Sequence, residues 1–134
     1  MQPEFIEHLV RPAGTPPVNG YSHAVLFSGP MMVISGQVPV DADGNLVGKD
    51  DPAAQVRQVF ANLGAALAAA GATMAHVVKL TYFVTDMALL PTVRAVRDEF
   101  IDVGQPPACS LVQVAGLVSP DFMIEIEALA ATGD

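Results

Sequence analysis

Between Asp51 and Gly71 the chain has one strong choice of conformation, a helix. Asp51 is a good N-cap, and Pro52 stands at the first helical position, where its missing N–H costs nothing. Val56, Val59, Phe60, Leu63, Leu67 and Ala70 recur at intervals of three and four and form one apolar stripe. Gln55, Arg57, Gln58 and Asn62 fall on the other faces, and Ala65, Ala66, Ala68 and Ala69 supply helix propensity. Gly71 stops the helix as a C′ residue does. A helix with a single apolar stripe needs a surface to cover, and the segments around it are strand-like.

Three strand-like segments precede that helix: residues 5–10, 21–27 and 31–34. Between the first two, Arg11-Pro12-Ala13-Gly14-Thr15-Pro16-Pro17 excludes helix and sheet interior and reads as an extended surface loop. Ser28-Gly29-Pro30 turns the second into the third, which predicts an antiparallel hairpin. After Ile34, Ser35-Gly36 breaks the apolar run. Gly36 lets the backbone bulge or a ligand approach closely, and Asp41-Ala42-Asp43-Gly44-Asn45 has the composition of a tight turn. Beyond the helix come a strand at 77–84 and a short turn capped by Asp86. A second helix then runs from Pro91 to Gly104 with the stripe Val93, Val96 and Phe100. Strands at 109–114 and 122–130 follow, reversed by Ser119-Pro120-Asp121.

The order is β-β-β-α-β-α-β-β, with hairpins expected at both ends, and it predicts an α+β domain spanning residues 1–134. Both helices fall on one face of a mixed sheet. The other face carries Leu111, Leu129, Phe83 and Met123 beside Glu125, Glu127, Lys79 and Gln113. Such a face predicts packing on further copies of the chain, with pockets between subunits. Composition points the same way. The 134 residues are 51% hydrophobic and 15% charged, yet no apolar run approaches the ~20 residues that span a bilayer. A net charge of -8 with six scattered Lys/Arg argues against nucleic acid and anionic membranes as partners. One cysteine excludes an internal disulfide and suits the cytoplasm, and no secretory leader pattern is visible. That cysteine and three dispersed histidines match no metal-ligand spacing, and the glycines follow no phosphate-loop or dinucleotide pattern.

Several motifs, in order, resemble the RidA/YjgF family. They are Ser35-Gly36-Gln37-Val38-Pro39, the helix end Ala68-Ala69-Ala70-Gly71, Val77-Val78-Lys79-Leu80-Thr81 with Asp86, Pro107-Ala108, and Ile124-Glu125-Ile126-Glu127-Ala128. The resemblance covers roughly residues 20 to 130. It implies a chorismate-mutase-like fold and a homotrimer with three inter-subunit clefts. It also implies hydrolysis of enamines and imines such as 2-aminoacrylate to keto acids and ammonia, without metal or organic cofactor. By the same resemblance Tyr21 is the pocket tyrosine, Ser35 and Gly36 the strand-end site, and Glu125 the pocket carboxylate.

The match departs at Cys109, where the family's deaminases carry an arginine that grips the substrate carboxylate. Cysteine offers neither the fork of donors nor the charge, a loss of ~2–5 kcal/mol in binding. Poor turnover of 2-aminoacrylate is therefore expected. Cys109 reads as a small lining residue, with Ser110 beside it as a further ligand contact. Arg94 stands where the family often has asparagine. It either replaces the missing cation or pairs with Asp98 one helical turn on. Glu125 either activates a water for attack on an imine carbon or makes an inter-subunit contact, for instance with Lys79. Three functions follow: hydrolysis of an enamine, imine or related carbonyl compound, ligand binding by a non-catalytic trimer, or tautomerase-type carbonyl chemistry in the same cleft.

Overall fold

Asp51 caps the long helix as its sequence demands: its carboxylate accepts from the Ala54 N–H at 3.2 Å. The computed structural model describes residues 5–133. Residues 1–4 and 134, which the sequence reading includes in the domain, lie outside them. Strands β1 (Ile6–Leu9), β2 (Ala24–Phe27) and β3 (Met31–Gln37) precede helix α1 (Pro52–Ala69). Strand β4 (Val77–Val84), helix α2 (Leu90–Arg97) and strands β5 (Ala108–Gln113) and β6 (Ile124–Ala131) follow. Short 3-10 turns stand before β4 and α2, the second capped by Asp86, whose carboxylate accepts from the Ala88 N–H. Gly71 ends α1 with φ at 69°, the left-handed conformation that a C′ glycine adopts without strain.

The principal sheet is mixed, with strand order β3-β6-β4-β5. Strand β6 runs antiparallel to both neighbours, and β5 runs parallel to β4. Val56, Val59, Phe60, Leu63 and Leu67 of α1 and Val93 and Val96 of α2 are buried in one cluster with Leu80, Tyr82 and Val84 of β4. Ile124, Ile126, Ala128 and Ala130 of β6 join the same cluster, so both helices lie on one face. Phe60 and Phe100 stack at 5.0 Å, and Arg57 meets the Glu99 carboxylate with two nitrogens at 2.8 and 3.0 Å. That contact ties α1 to the segment after α2 and holds the Glu99 carboxyl below its usual range.

Pairing differs from expectation in two places. Strands β2 and β3 do not form a hairpin: β2 pairs with β1 in a separate two-stranded ribbon, and β3 pairs with β6. Strands β5 and β6 are not a hairpin either, because β4 lies between them. The cause is topological. The α2 crossover returns β5 parallel to β4, which leaves the other edge of β4 for β6.

Local differences have local causes. Ser35-Gly36 does not end β3; the strand continues to Gln37 across a register shift between Ile34 and Gln37. A second shift between Val77 and Lys79 turns Val78 away from the helices. Val78 packs with Ile6 and Ala131, where the β1–β2 ribbon covers one end of the opposite face. Helix α2 ends at Arg97, short of Gly104. The turn at Asp41–Asn45 is as expected: Gly44 has φ at 83°, and Asp41 Oδ1 accepts from the N–H groups of Asp43 and Asn45. No helix is long and apolar enough to cross a membrane among the described residues.

Gln55, expected on a polar face, is fully buried. Its amide nitrogen donates to Gly48 O and Asp121 O, and its Oε1 accepts from the Met123 N–H at 2.8 Å. It thereby fixes the approach to β6. Gln55→Ala should leave the Met123 N–H and the Asp121 carbonyl without partners. Urea denaturation should register a loss of ~2–4 kcal/mol.

Candidate functional site

The free edge of β5 forms one wall of a cleft of about 230 Å³, and α2 forms another. Cys109, Ser110 and Leu111 come from β5, Tyr82 from β4, and Leu90, Val93, Arg94 and Arg97 from α2. Asn19 and Tyr21 complete the lining. They reach the cleft because the segment before β2 is stitched to the start of β5. The Ser22 N–H donates to Pro107 O at 3.0 Å, and Ser22 Oγ donates to Pro106 O at 2.6 Å. Ser22 is itself buried, so the stitch is shielded from competing water.

Arg97 is the polar anchor of this region, and the sequence reading did not single it out. It is 5% exposed and its guanidinium is fully engaged. Nη1 donates to Asn19 O and Nη2 to Asn19 Oδ1, both at 3.1 Å, and Nε donates to Asp98 Oδ1 at 2.9 Å. Gly20 lies against the guanidinium with φ at 69°, and a Cβ built there would run into Arg97. The Asn19-Gly20-Tyr21 segment is therefore shaped by one buried cation. A signal for it exists in the sequence: Val93, Val96, Arg97 and Phe100 share one helical stripe.

The residues expected at the site divide into two groups. Tyr21, Arg94, Cys109 and Ser110 line the cleft together. Glu125, Ser35 and Gly36 do not. Glu125 lies on the sheet face away from the helices and its side chain rests on Gly36, so closely that a Cβ at Gly36 would overlap the carboxylate. Glu125 pairs in register with Phe83, whereas Cys109 pairs with Leu80 one strand further across. Ser35 is exposed on β3, next to Gly36. Within one chain strand β4 thus lies between the candidate carboxylate on β6 and the cleft at the edge of β5.

One expected ion pair is replaced. Asp98 is held by Arg97, not Arg94, and Arg94 is exposed with no carboxylate partner among the described residues. Within the chain, Lys79 donates to Ser110 Oγ at 2.8 Å. The histidines are bound elsewhere. His8 Nδ1 donates to Pro106 O, His23 Nε2 to Pro16 O, and His76 Nδ1 accepts from the Thr73 N–H. None lines the cleft, so no histidine stands ready to activate the Cys109 thiol.

Burial pushes the Cys109 thiol above its ordinary range, and the positive charges of Arg97, Lys79 and Arg94 only partly offset this. Burial also raises Tyr82, which remains a neutral phenol. A thiol raised in this way is protonated at neutral pH and is a poor nucleophile. Alkylation of Cys109 by iodoacetamide should accelerate only above the pH at which a free cysteine does. Arg94→Gln should move that midpoint higher still, because one of the compensating charges is lost. Gly20→Ala should force Arg97 from its place. Thermal and urea unfolding should show a cost of ~1–3 kcal/mol.

Comparison with known proteins gives one family. The sequence model described as Endoribonuclease L-PSP matches residues 12–132. Protein DfrA of Myxococcus xanthus is 37% identical over 116 residues, covering 86% of this chain and 87% of that protein. The crystal structure of a conserved Rid-family protein from Yersinia pestis superposes with a TM-score of 0.83 at 38% identity, covering 95% of this chain and 98% of that one. The structure of Escherichia coli TdcF with bound serine superposes with a TM-score of 0.71 at 33% identity, covering 98% of this chain and 100% of that one. With the α+β architecture and the motifs along the chain, these matches identify the protein as a member of the RidA/YjgF family, whose sequence model bears the description Endoribonuclease L-PSP.

Proposed function

We propose that this chain is a hydrolase of small enamines, imines or related carbonyl compounds, working as a homotrimer whose sites lie between subunits. The observation that carries the reading is the division of the candidate site. Tyr21, Cys109 and Ser110 stand at the β5 edge, and Glu125 rests on Gly36 across the sheet. A rotation axis that sets the open sheet face of one copy against the β5 edge of the next brings the halves together. The open face suits such contact, since Met31 and Val33 on β3 and Val112 on β5 are exposed apolar residues. Serine bound to the relative TdcF supports a small-molecule ligand. A net charge of -8 argues against RNA as the substrate despite the family's description. The single unpaired cysteine fits a cytoplasmic location.

The chemistry is addition followed by elimination. Glu125 takes a proton from water as the water oxygen bonds to the imine carbon and the C=N π pair moves onto the nitrogen, to which Glu125 then returns that proton. The resulting carbinolamine collapses to the carbonyl as its hydroxyl proton passes by way of Glu125 to the nitrogen, the C–N bond breaks and ammonia leaves. Tyr21 hydrogen-bonds a substrate oxygen, and Ser35 and Gly36 flank the carboxylate. With cysteine at position 109, 2-aminoacrylate lacks the cation that would hold it there and turns over poorly.

Imine decay followed in situ tests this. Glu125→Gln should lower turnover by ~10²–10⁴-fold while light scattering still reports a trimer. Cys109→Arg should gain activity on 2-aminoacrylate. Mixing inactive Glu125→Gln and Tyr21→Phe protomers should regenerate about a quarter of the sites, because each site draws on two copies. Ligand binding without any turnover would instead favour a non-catalytic binding trimer. Interconversion of keto and enol forms without loss of ammonia would favour a tautomerase.

A further inference from the structure

Of the three asparagines in the chain, Asn19 alone precedes a glycine; Asn45 and Asn62 precede leucines. An asparagine before glycine can close a five-membered imide, because the next residue has no side chain to keep its backbone nitrogen from the asparagine Cγ. Three features of the fold bear on this pair. The Gly20 N–H meets no acceptor among the described residues, so its nitrogen is not tied into a backbone ladder. Asn19 is exposed, so water reaches it. Its side-chain oxygen is held by Arg97 Nη2 and its backbone carbonyl by Arg97 Nη1, both at 3.1 Å. A guanidinium has donors only, so the contact decides which way the amide points: Oδ1 faces Arg97 and Nδ2 is turned from it. Ring closure puts negative charge on Oδ1. A buried guanidinium already in place there stabilises that charge.

We propose that Asn19-Gly20 is a self-modifying site, at which Arg97 promotes spontaneous loss of ammonia and a carboxylate is left in the lining of the cleft. Solvent hydroxide takes the Gly20 amide proton as the Gly20 nitrogen bonds to Asn19 Cγ, and the C=O π pair moves onto Oδ1. That pair then returns and the bond from Cγ to Nδ2 breaks. The departing nitrogen takes a proton from water, which restores hydroxide, and leaves as ammonia. A second water adds to either carbonyl of the imide and breaks its bond to the Gly20 nitrogen, which takes up a proton. The new acid gives its own proton to solvent. Addition at Cγ restores the ordinary backbone with an aspartate side chain; addition at the Asn19 carbonyl carbon leaves an isoaspartate, with the chain running through Cγ. In sum one water is consumed and one ammonia released. In the aspartate product a carboxylate replaces the amide oxygen that faces Arg97, and a charge-assisted pair replaces a hydrogen bond to a neutral group. Asn19 lines the cleft, so the modified chain carries one more negative charge there.

Peptide mapping by mass spectrometry, after the purified protein has aged in water enriched in oxygen-18, tests this. Position 19 should lose its amide and take up one oxygen-18, while Asn45 and Asn62 stay intact. The folded chain should react at Asn19 at least ~10-fold faster than the chain unfolded in urea, where Arg97 is not in place. Arg97→Met removes the charge and keeps most of the stem. Asp98 and Asn19 are both exposed, so that variant leaves neither side chain buried without a partner, and its urea curve verifies the fold. Its rate at Asn19 should fall back to about that of the unfolded chain. Arg97→Lys, with a charge but no fork, should lie between. An Asn19 that reacts no faster in the folded chain than in urea would overturn the proposal, as would equal rates in wild type and folded Arg97→Met. Should Arg97→Met fail to fold, the comparison of folded with unfolded wild type decides alone. None of these outcomes depends on the turnover of an imine.

Discussion

The α1 stripe packed on the inner face of β6 is the contact on which the remaining structure depends. Leu63, Leu67 and Phe60 meet Ile124, Ile126 and Ala128 in one buried cluster, each large side chain contributing roughly 1.5–3 kcal/mol. Because β6 lies between β3 and β4, this packing also fixes the strands on both sides. Gln55 extends the control beyond the apolar cluster. It sits on the same helix and holds the backbone at Asp121 and Met123, so the chain enters β6 in a fixed register. That register places Glu125 opposite Phe83 and over Gly36. A helix–strand contact with no part in chemistry thus sets where the candidate carboxylate stands.

The cleft depends on a second, smaller anchor. A buried guanidinium is costly unless every direction around it is satisfied. Arg97 meets that requirement with Asp98 from its own helix and Asn19 from a distant loop. The loop is consequently held against β5, and Gly20 is needed because nothing larger fits against the cation. The position of Tyr21 follows. Core packing therefore governs the Glu125 half of the site, and one buried polar contact governs the Tyr21 half.

Sequence patterns disclosed elements well and pairings poorly. Helix α1 was legible because its stripe, cap, proline and terminal glycine all agree. Strand β4 was legible because alternation persists from Lys79 to Val84. The hairpins were not, because a turn such as Ser28-Gly29-Pro30 reverses the chain without naming the neighbour the next strand adopts. Strand β3 finds its partner at β6, close to the far end of the chain. Gln55 and Arg97 were missed for one shared reason. Polar side chains on a helix read as solvent-facing, although the phase of each helix puts both on the buried stripe. Of the site residues, Tyr21, Arg94, Cys109 and Ser110 were legible and do converge. The distance between them and Glu125 was not, since periodicity assigns a face and says nothing of how two strands lie within a sheet.

The same helical phase explains why two arginines three residues apart in α2 do different work. Arg97 falls on the stripe with Val93 and Val96 and is drawn inward, where its donors must be consumed by protein acceptors. Asp98 is consumed in the process and is no longer available to Arg94 one turn before it. Burial of one cation therefore leaves the other, among the described residues, without a carboxylate partner beside an apolar cleft. At position 109 the chain carries a small neutral thiol, held protonated by its surroundings.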